Sequence, residues 1–246
     1  MFKRLSKTLL LFLLVIFTCI CCNKKSEDGI PYSLLITGDE VKKSGELLQG
    51  LPLGLNEIIY DSSTIDTVII SVHGYDSRWY EWVYPIRSMA ESKKQTFYYR
   101  WDWTQCPESA TEGLLLDLKK LLIESSAIRH IIIFGHSYGG VITANLIDDL
   151  FGSVEIHSVA APLYGHPRID KKCPDWPDFE DMELINPFTQ WRTQQKQDGA
   201  YKHLATNPQE ISISGSNVVH LPDSLNGRRL GHNWSISWVI NKYFKK

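Results

Sequence analysis

An α/β fold, with a mostly parallel central sheet covered by helices on both faces, is predicted by three features of the sequence. Short apolar runs rich in β-branched residues recur along the chain, each of strand length and each ending in turn-type or polar residues. Longer segments with helical periodicity lie between them, which is the pattern of parallel strands joined by crossovers. The chain has 246 residues, 43% of them hydrophobic and 22% charged, enough to bury a full core as one domain.

Taken in order, the first strand is Thr67 to Val72 (TVIISV), followed by a helical pattern from Tyr80 to Ser92. The next strand is Thr96 to Trp101, and the helix after it spans Glu108 to Ser125. There Leu114, Leu115, Leu118, Leu121 and Leu122 recur at three- and four-residue spacing and so share one face. His130 to Phe134 is a strand that runs without a gap into GHSYGG, and a helix follows from Gly139 to Leu150. Val154 to Val159 and Glu210 to Ser214 complete the strands, and Ser235 to Tyr243 is the final helix. Residues 163–207, rich in Pro, Trp, Asp and Gln, break the rhythm and read as a cap-like insertion before the last strand. Sheets of this type bind ligands beyond the carboxyl ends of their strands, so the chemistry belongs there.

The N-terminus is different material. Met1 to Lys7 is basic and Thr8 to Ile20 almost wholly apolar, the layout of a signal peptide too short for a comfortable membrane span. The division that follows is a signal over residues 1–22, a tether and entry segment over 23–50, and a folded domain over 51–246. The cysteines at 19, 21 and 22 end the apolar stretch, and the segment resembles a bacterial lipoprotein signal, with Cys22 or Cys21 the acylated residue. That implies a lipid anchor on the extracytoplasmic side of a membrane in the cell envelope. Cys106 and Cys173 remain in the body and are free to pair in an oxidising compartment. A formal charge of −2 and a pI near 6.4 give no electrostatic support to nucleic-acid binding.

Gly135-His136-Ser137-Tyr138-Gly139 is a Gly-x-Ser-x-Gly pentapeptide set between a strand and a helix. In that context it is a nucleophile elbow: a sharp turn strains the serine backbone, and side chains two positions either side would collide. The ordered set SVHGYDS, GHSYGG and LGHNWSI resembles the α/β-hydrolase superfamily in its lipase and esterase branch, from about Thr67 to the C-terminus. The resemblance implies Ser137 as nucleophile, His232 as general base, and the backbone N–H groups of Tyr75 and Tyr138 as the oxyanion hole.

The third member of the triad is less direct. The slot where the superfamily carries its acid reads Gly215 to Val219 and holds no carboxylate. Asp223 preserves the order Ser, Asp, His, and it reads equally as an ordinary turn aspartate after Pro222; Asp198 and Asp175 are the alternatives. Asp102 either contacts the site or caps its own loop, and Trp79, Tyr80, Trp82 and Trp103 either line an acyl pocket or belong to the core.

The expected activity is therefore cleavage of carboxylic esters, on a small-molecule or lipid substrate, with no metal or organic cofactor implied. A thioesterase, an amidase or an acyltransferase would use the same triad. A catalytically inactive envelope binding protein is the reading from another class, and the missing acid is what favours it. Nucleotide binding lacks both the Gly-x-Gly-x-x-Gly and the Gly-Lys-Ser/Thr signatures.

Overall fold

The computed structural model describes residues 29–61, 64–148 and 153–245. The signal segment and its candidate lipidation site, Cys22, lie outside the described residues. Eight strands form one sheet: β1 (Ile30–Pro31), β2 (Gly54–Ile59), β3 (Thr64–Val72), β4 (Lys94–Arg100), β5 (His130–His136), β6 (Ser153–Val159), β7 (Phe188–Arg192) and β8 (Asn217–His220). Their spatial order is β1-β2-β4-β3-β5-β6-β7-β8. Among the described residues every neighbouring pair from β4 to β8 is parallel, and the one antiparallel pairing in the sheet joins β2 to β4. A separate hairpin pairs β9 (Ser224–Leu225) with β10 (Arg228–Arg229).

The helices are α1 (Val41–Gln49), α2 (Tyr80–Ala90), α3 (Pro107–Glu124), α4 (Tyr138–Ala144), the single turn α5 (Pro167–Asp170) and α6 (His232–Phe244). The continuous apolar runs are explained by two cores, one on each face of the sheet. In β3, Val68, Ile70 and Val72 enter the core shared with Leu114 and Leu118 of α3 and with Val141 and Ile142 of α4. Ile69 points the other way, to the core that α2 and α6 fill with Trp82, Val83, Ile86, Ile236 and Val239. β5 divides likewise, Ile131 and Ile133 against Ile132 and Phe134. Ile30, Leu35 and Leu48, from within the segment assigned to tether and entry, are buried in the second core.

Two expectations about the later strands are corrected. Glu210 to Ser214 is not a strand; Ile211 and Ile213 are buried there, but the segment pairs with no neighbour in the sheet. Its period-two pattern reports burial, not hydrogen bonding. The insertion is also not one excursion over 163–207, because β7 lies inside that range and pairs with β6 and β8. What leaves the sheet is the stretch 160–187, ahead of β7.

That stretch is tied back to the body. Cys106, the residue before α3, forms a disulfide with Cys173, closing a separation of 67 residues. Phe179 is fully buried, and the Trp176 indole N–H donates to the Leu163 carbonyl at 3.0 Å. Closing so long a loop removes much of the freedom of the unfolded chain. Replacing both cysteines by serine is expected to lower stability by about 2–4 kcal/mol, read from the urea midpoint.

An ionic cluster under α6 sets an acid limit on stability. On β6, Glu155 lies 3.0 Å from His157 Nε2 and 3.7 Å from His130 Nε2, and it accepts from the Tyr243 hydroxyl at 2.7 Å. The close approach of His157, helped by the hydrogen bond from Tyr243 and by His130, pulls its carboxyl down to about 2 against burial. A depressed carboxyl stabilises the fold fully above its unfolded value of 4.5 and loses that contribution as pH falls through about 2. The wild type is therefore expected to lose about 1 kcal/mol across that window, solvent screening of the partly exposed carboxylate being allowed for, and Glu155→Gln to flatten this part of the profile in acid titrations followed by circular dichroism.

Candidate active site

β5 delivers Ser137 to the carboxyl edge of the sheet, and the chain turns there at once into α4. The turn forces Ser137 to φ 55°, ψ −123°, a conformation in which a side chain is strained. The flanking glycines leave room for it. A Cβ on Gly135 would lie 2.3 Å from Thr143 Oγ1 and 2.4 Å from the Gly139 carbonyl oxygen. One on Gly139 would lie 2.4 Å from the carbonyl oxygens of both Val72 and His73. Behind the elbow, the Ser137 N–H donates to the Val159 carbonyl at 2.8 Å, so the strain is held by the sheet itself.

His232 is the first residue of α6 and faces the elbow. Its Nδ1 lies 2.9 Å from Asp198 Oδ2, and the carboxylate fixes the tautomer with the proton on Nδ1, leaving Nε2 as the basic nitrogen. Asp198 follows the turn after β7 and is fully buried. Its Oδ2 also accepts from the Thr193 hydroxyl at 2.5 Å, and its Oδ1 accepts from the Ala200 N–H at 2.8 Å. Burial works to raise this carboxyl, but the charge and hydrogen bond of His232, with those from Thr193 and Ala200, outweigh it and hold it below the ordinary value.

The aspartate on His232 is thus Asp198, and the assignment to Asp223 is corrected. Asp223 is exposed at the foot of the β9–β10 hairpin, where its carbonyl accepts from Leu230 N–H at 2.9 Å and closes the hairpin. Asp175 is likewise exposed, on the 160–187 stretch.

The loop after β3 approaches the serine from the other side. A Cβ on Gly74 would come within 2.8 Å of Ser137 Cβ, so only glycine lets the backbone that carries Tyr75 lie this close. His73 holds that loop. Its Nδ1–H donates to the Gly74 carbonyl at 2.9 Å, its Nε2 accepts from the Trp101 N–H at 3.3 Å, and the Trp101 indole N–H donates to the His73 carbonyl at 2.9 Å. The ring is stacked with Tyr98 and Trp101, and burial lowers its pKa to about 4, so it stays neutral. Tyr138, first in α4, is anchored through its hydroxyl to the Gln105 carbonyl at 2.8 Å, and Trp176 stacks on its ring.

Two further residues here were not given a role by the sequence reading. His136 donates from Nε2 to the His232 carbonyl at 3.0 Å, so the residue before Ser137 holds His232 in place. Burial, with the nearby charge of His232, lowers its pKa to about 3. Tyr201 is fully buried with its ring edge-on to His232 at 5.0 Å between centroids. Its hydroxyl donates to the Ala160 carbonyl at 2.6 Å, and burial raises its pKa far above the ordinary value while a hydrogen bond with the Ser137 hydroxyl partly opposes this. His136 lies inside the elbow motif, but its contact with His232 comes only from the fold, and Tyr201 is marked by no motif at all.

The remaining candidates separate cleanly. Asp102 caps its own loop, accepting from the N–H of Thr104 at 3.0 Å and from its hydroxyl at 2.7 Å. Trp82 is core, and Tyr80 is exposed. Trp79 and Trp103 line a cleft of 220 Å³ beside His73 and Trp101.

No family model matches the sequence, and no curated protein matches it. Among solved structures, one from work on LipS and LipT, two metagenome-derived lipolytic enzymes, superposes with a TM-score of 0.51 at 10% identity, over 78% of this chain and 96% of that one. Est1E from Butyrivibrio proteoclasticus matches at 0.51 and 13% identity over 78% and 90% of the two chains. A meta-cleavage product hydrolase from Pseudomonas fluorescens, CumD, matches at 0.52 and 12% identity over 78% and 91%. At such identities a likeness speaks to architecture alone, and with the strand order it settles that much: this chain has the α/β-hydrolase fold.

Proposed function

We propose that the protein is a serine hydrolase that cleaves carboxylic esters through an acyl-enzyme. The observation that carries this reading is the hydrogen bond of His232 to the buried Asp198, close to a serine held at φ 55° on a strand-to-helix elbow. A serine in that conformation projects its hydroxyl from the turn, and an imidazole fixed by a buried carboxylate is the base such a hydroxyl needs. His232 Nε2 takes the Ser137 proton as Oγ attacks the ester carbon. Asp198 stabilises the imidazolium that forms.

The tetrahedral oxygen is held by the backbone N–H groups of Tyr75 and Tyr138, whose loops are braced by His73 and by the Tyr138 hydroxyl anchor. His232 then protonates the departing alcohol, and water, deprotonated by the same base, releases the acid from Ser137. The structural neighbours named above are described as lipolytic enzymes, an Est1E and a hydrolase, which supports this class of chemistry. The reading as an inactive binding protein drew on the missing carboxylate, and Asp198 removes that reason. A disulfide between Cys106 and Cys173 belongs in an oxidising compartment, which supports a place outside the cytoplasm; the acyl anchor at Cys22 rests on the sequence of the leader alone.

The test is labelling of the full-length chain by a fluorophosphonate, with Ser137→Ala as control, beside hydrolysis of one acyl group presented as ester, thioester and amide. Labelling lost in Ser137→Ala, with the ester cleaved fastest, supports the proposal. A folded wild type that takes no label and cleaves none of the three would refute it.

A further inference from the structure

We propose that the groove on the His232 side of the site binds an anionic group, a carboxylate or a phosphate, carried by the alcohol half of the ester; this rests on the hydrolase reading above. The groove has a volume of 540 Å³, and its walls include Gly199, Ala200, Arg228, Arg229, His232 and Trp234. Gly199 and Ala200 directly follow the buried Asp198, so one wall is the loop that carries the acid. Another is the start of α6, which carries the base. The third is the β9–β10 hairpin, which brings two adjacent arginines.

The hairpin is a defined mount. Arg228 pairs with Leu225 and Arg229 with Ser224, and the connecting Asn226 and Gly227 both have positive φ, 52° and 75°, as a tight two-residue hairpin turn requires. The Arg228 guanidinium lies 4.2 Å over the Trp234 ring, which orders the side chain and leaves its N–H edge available. Among the described residues neither arginine forms an ion pair, and no carboxylate lines the groove.

Exposed arginines elsewhere on a surface are ordinarily solvated charges. These two share a concave surface with His232, where a bound anion gains charge-assisted hydrogen bonds.

The reaction assigns the groove to one half of the substrate. The acyl half stays on Ser137 after the first step, whereas the alcohol half must accept a proton from His232 Nε2 as it leaves. A leaving group in contact with His232 extends over the wall that His232 helps to form, and that wall continues to Arg228 and Arg229.

The experiment compares release of butyrate from three esters of one acid: those of butanol, of γ-hydroxybutyrate and of ethylene glycol monophosphate. The full-length wild type is set against Arg228→Gln, Arg229→Gln, the double variant and the double lysine variant. The expected result is a kcat/KM for one or both anionic esters about tenfold or more above that of the neutral ester. This ratio should collapse toward one in the double glutamine variant, be partly restored by lysine, and fall with added salt. The anionic ester that gains more identifies carboxylate or phosphate as the group recognised. A wild-type ratio near one, or a ratio unchanged in the double glutamine variant, overturns the inference while ester hydrolysis itself stands. If the wild type neither reacts with a neutral fluorophosphonate nor releases butyrate from any ester, the hydrolase reading fails and this inference with it.

Discussion

Asp198→Asn is expected to lower kcat/KM for ester hydrolysis by roughly a thousand- to ten-thousandfold, with Asp223→Asn within about twofold of wild type. The substitution keeps the shape of the side chain. The new amide's oxygen could still accept from the Ala200 N–H, but its NH₂ group would donate where the carboxylate now accepts from His232 Nδ1. The imidazole would then carry its proton on Nε2, the nitrogen that must take the serine proton, and the base would be blocked with its geometry nearly intact. Steady-state kinetics on both variants, with folding checked by circular dichroism, make the comparison. Asp223, exposed at the foot of a hairpin, has no path to the imidazole. A large loss in Asp223→Asn with little in Asp198→Asn would sink the assignment.

Gly139→Ala is expected to be severely damaging, costing more than about 3 kcal/mol and lowering Tm by roughly 10 °C, or preventing folding outright. The added carbon would lie 2.4 Å from two carbonyl oxygens, those of Val72 at the end of β3 and His73 just after it, and backbone in the middle of a parallel sheet cannot yield as a flexible side chain can. Gly50→Ala is the control. There the nearest atoms are at 3.5 and 3.6 Å and the backbone is already helical, so a change within about 1 kcal/mol is expected. Thermal denaturation of the two variants reads the difference. A Gly139→Ala protein as stable as Gly50→Ala would show that the elbow does not need its glycine.

The elbow was legible in the sequence because it is local. Strand, strained serine, close-packed glycines and helix are consecutive, and each residue type answers a steric demand of its neighbours. His232 is singled out by chain order as the candidate base, and the structure sets it at the start of α6 beside Asp198.

The aspartate that meets His232 was left open among Asp223, Asp198 and Asp175, because choosing Asp198 requires knowing which strand is β7. That strand reads Phe188-Thr189-Gln190-Trp191-Arg192, with polar residues whose needs are met by partners the sequence does not reveal: Gln190 donates to Ser216 Oγ at 2.8 Å, and Arg192 donates to Gln190 Oε1 at 2.7 Å. Glu210 to Ser214, by contrast, alternates like a strand because Ile211 and Ile213 face the core, yet it pairs with nothing in the sheet. Shifting the strand assignment by one element moved the expected acid from the turn after β7 to the hairpin after β8. Tyr201 and His136 escaped for a related reason: their roles depend on who meets them across the fold, and residue type alone does not report that.

The fastening of residues 160–187 has a kinetic consequence. With Cys173 bonded to Cys106, Phe179 sunk in the core and Trp176 stacked on Tyr138, the middle of this stretch is held at three points. A flap that must swing aside at an oil–water boundary would have to break those contacts. The rate is therefore expected to follow simple saturation as an ester of increasing concentration passes its solubility limit, with no jump when droplets or micelles first form.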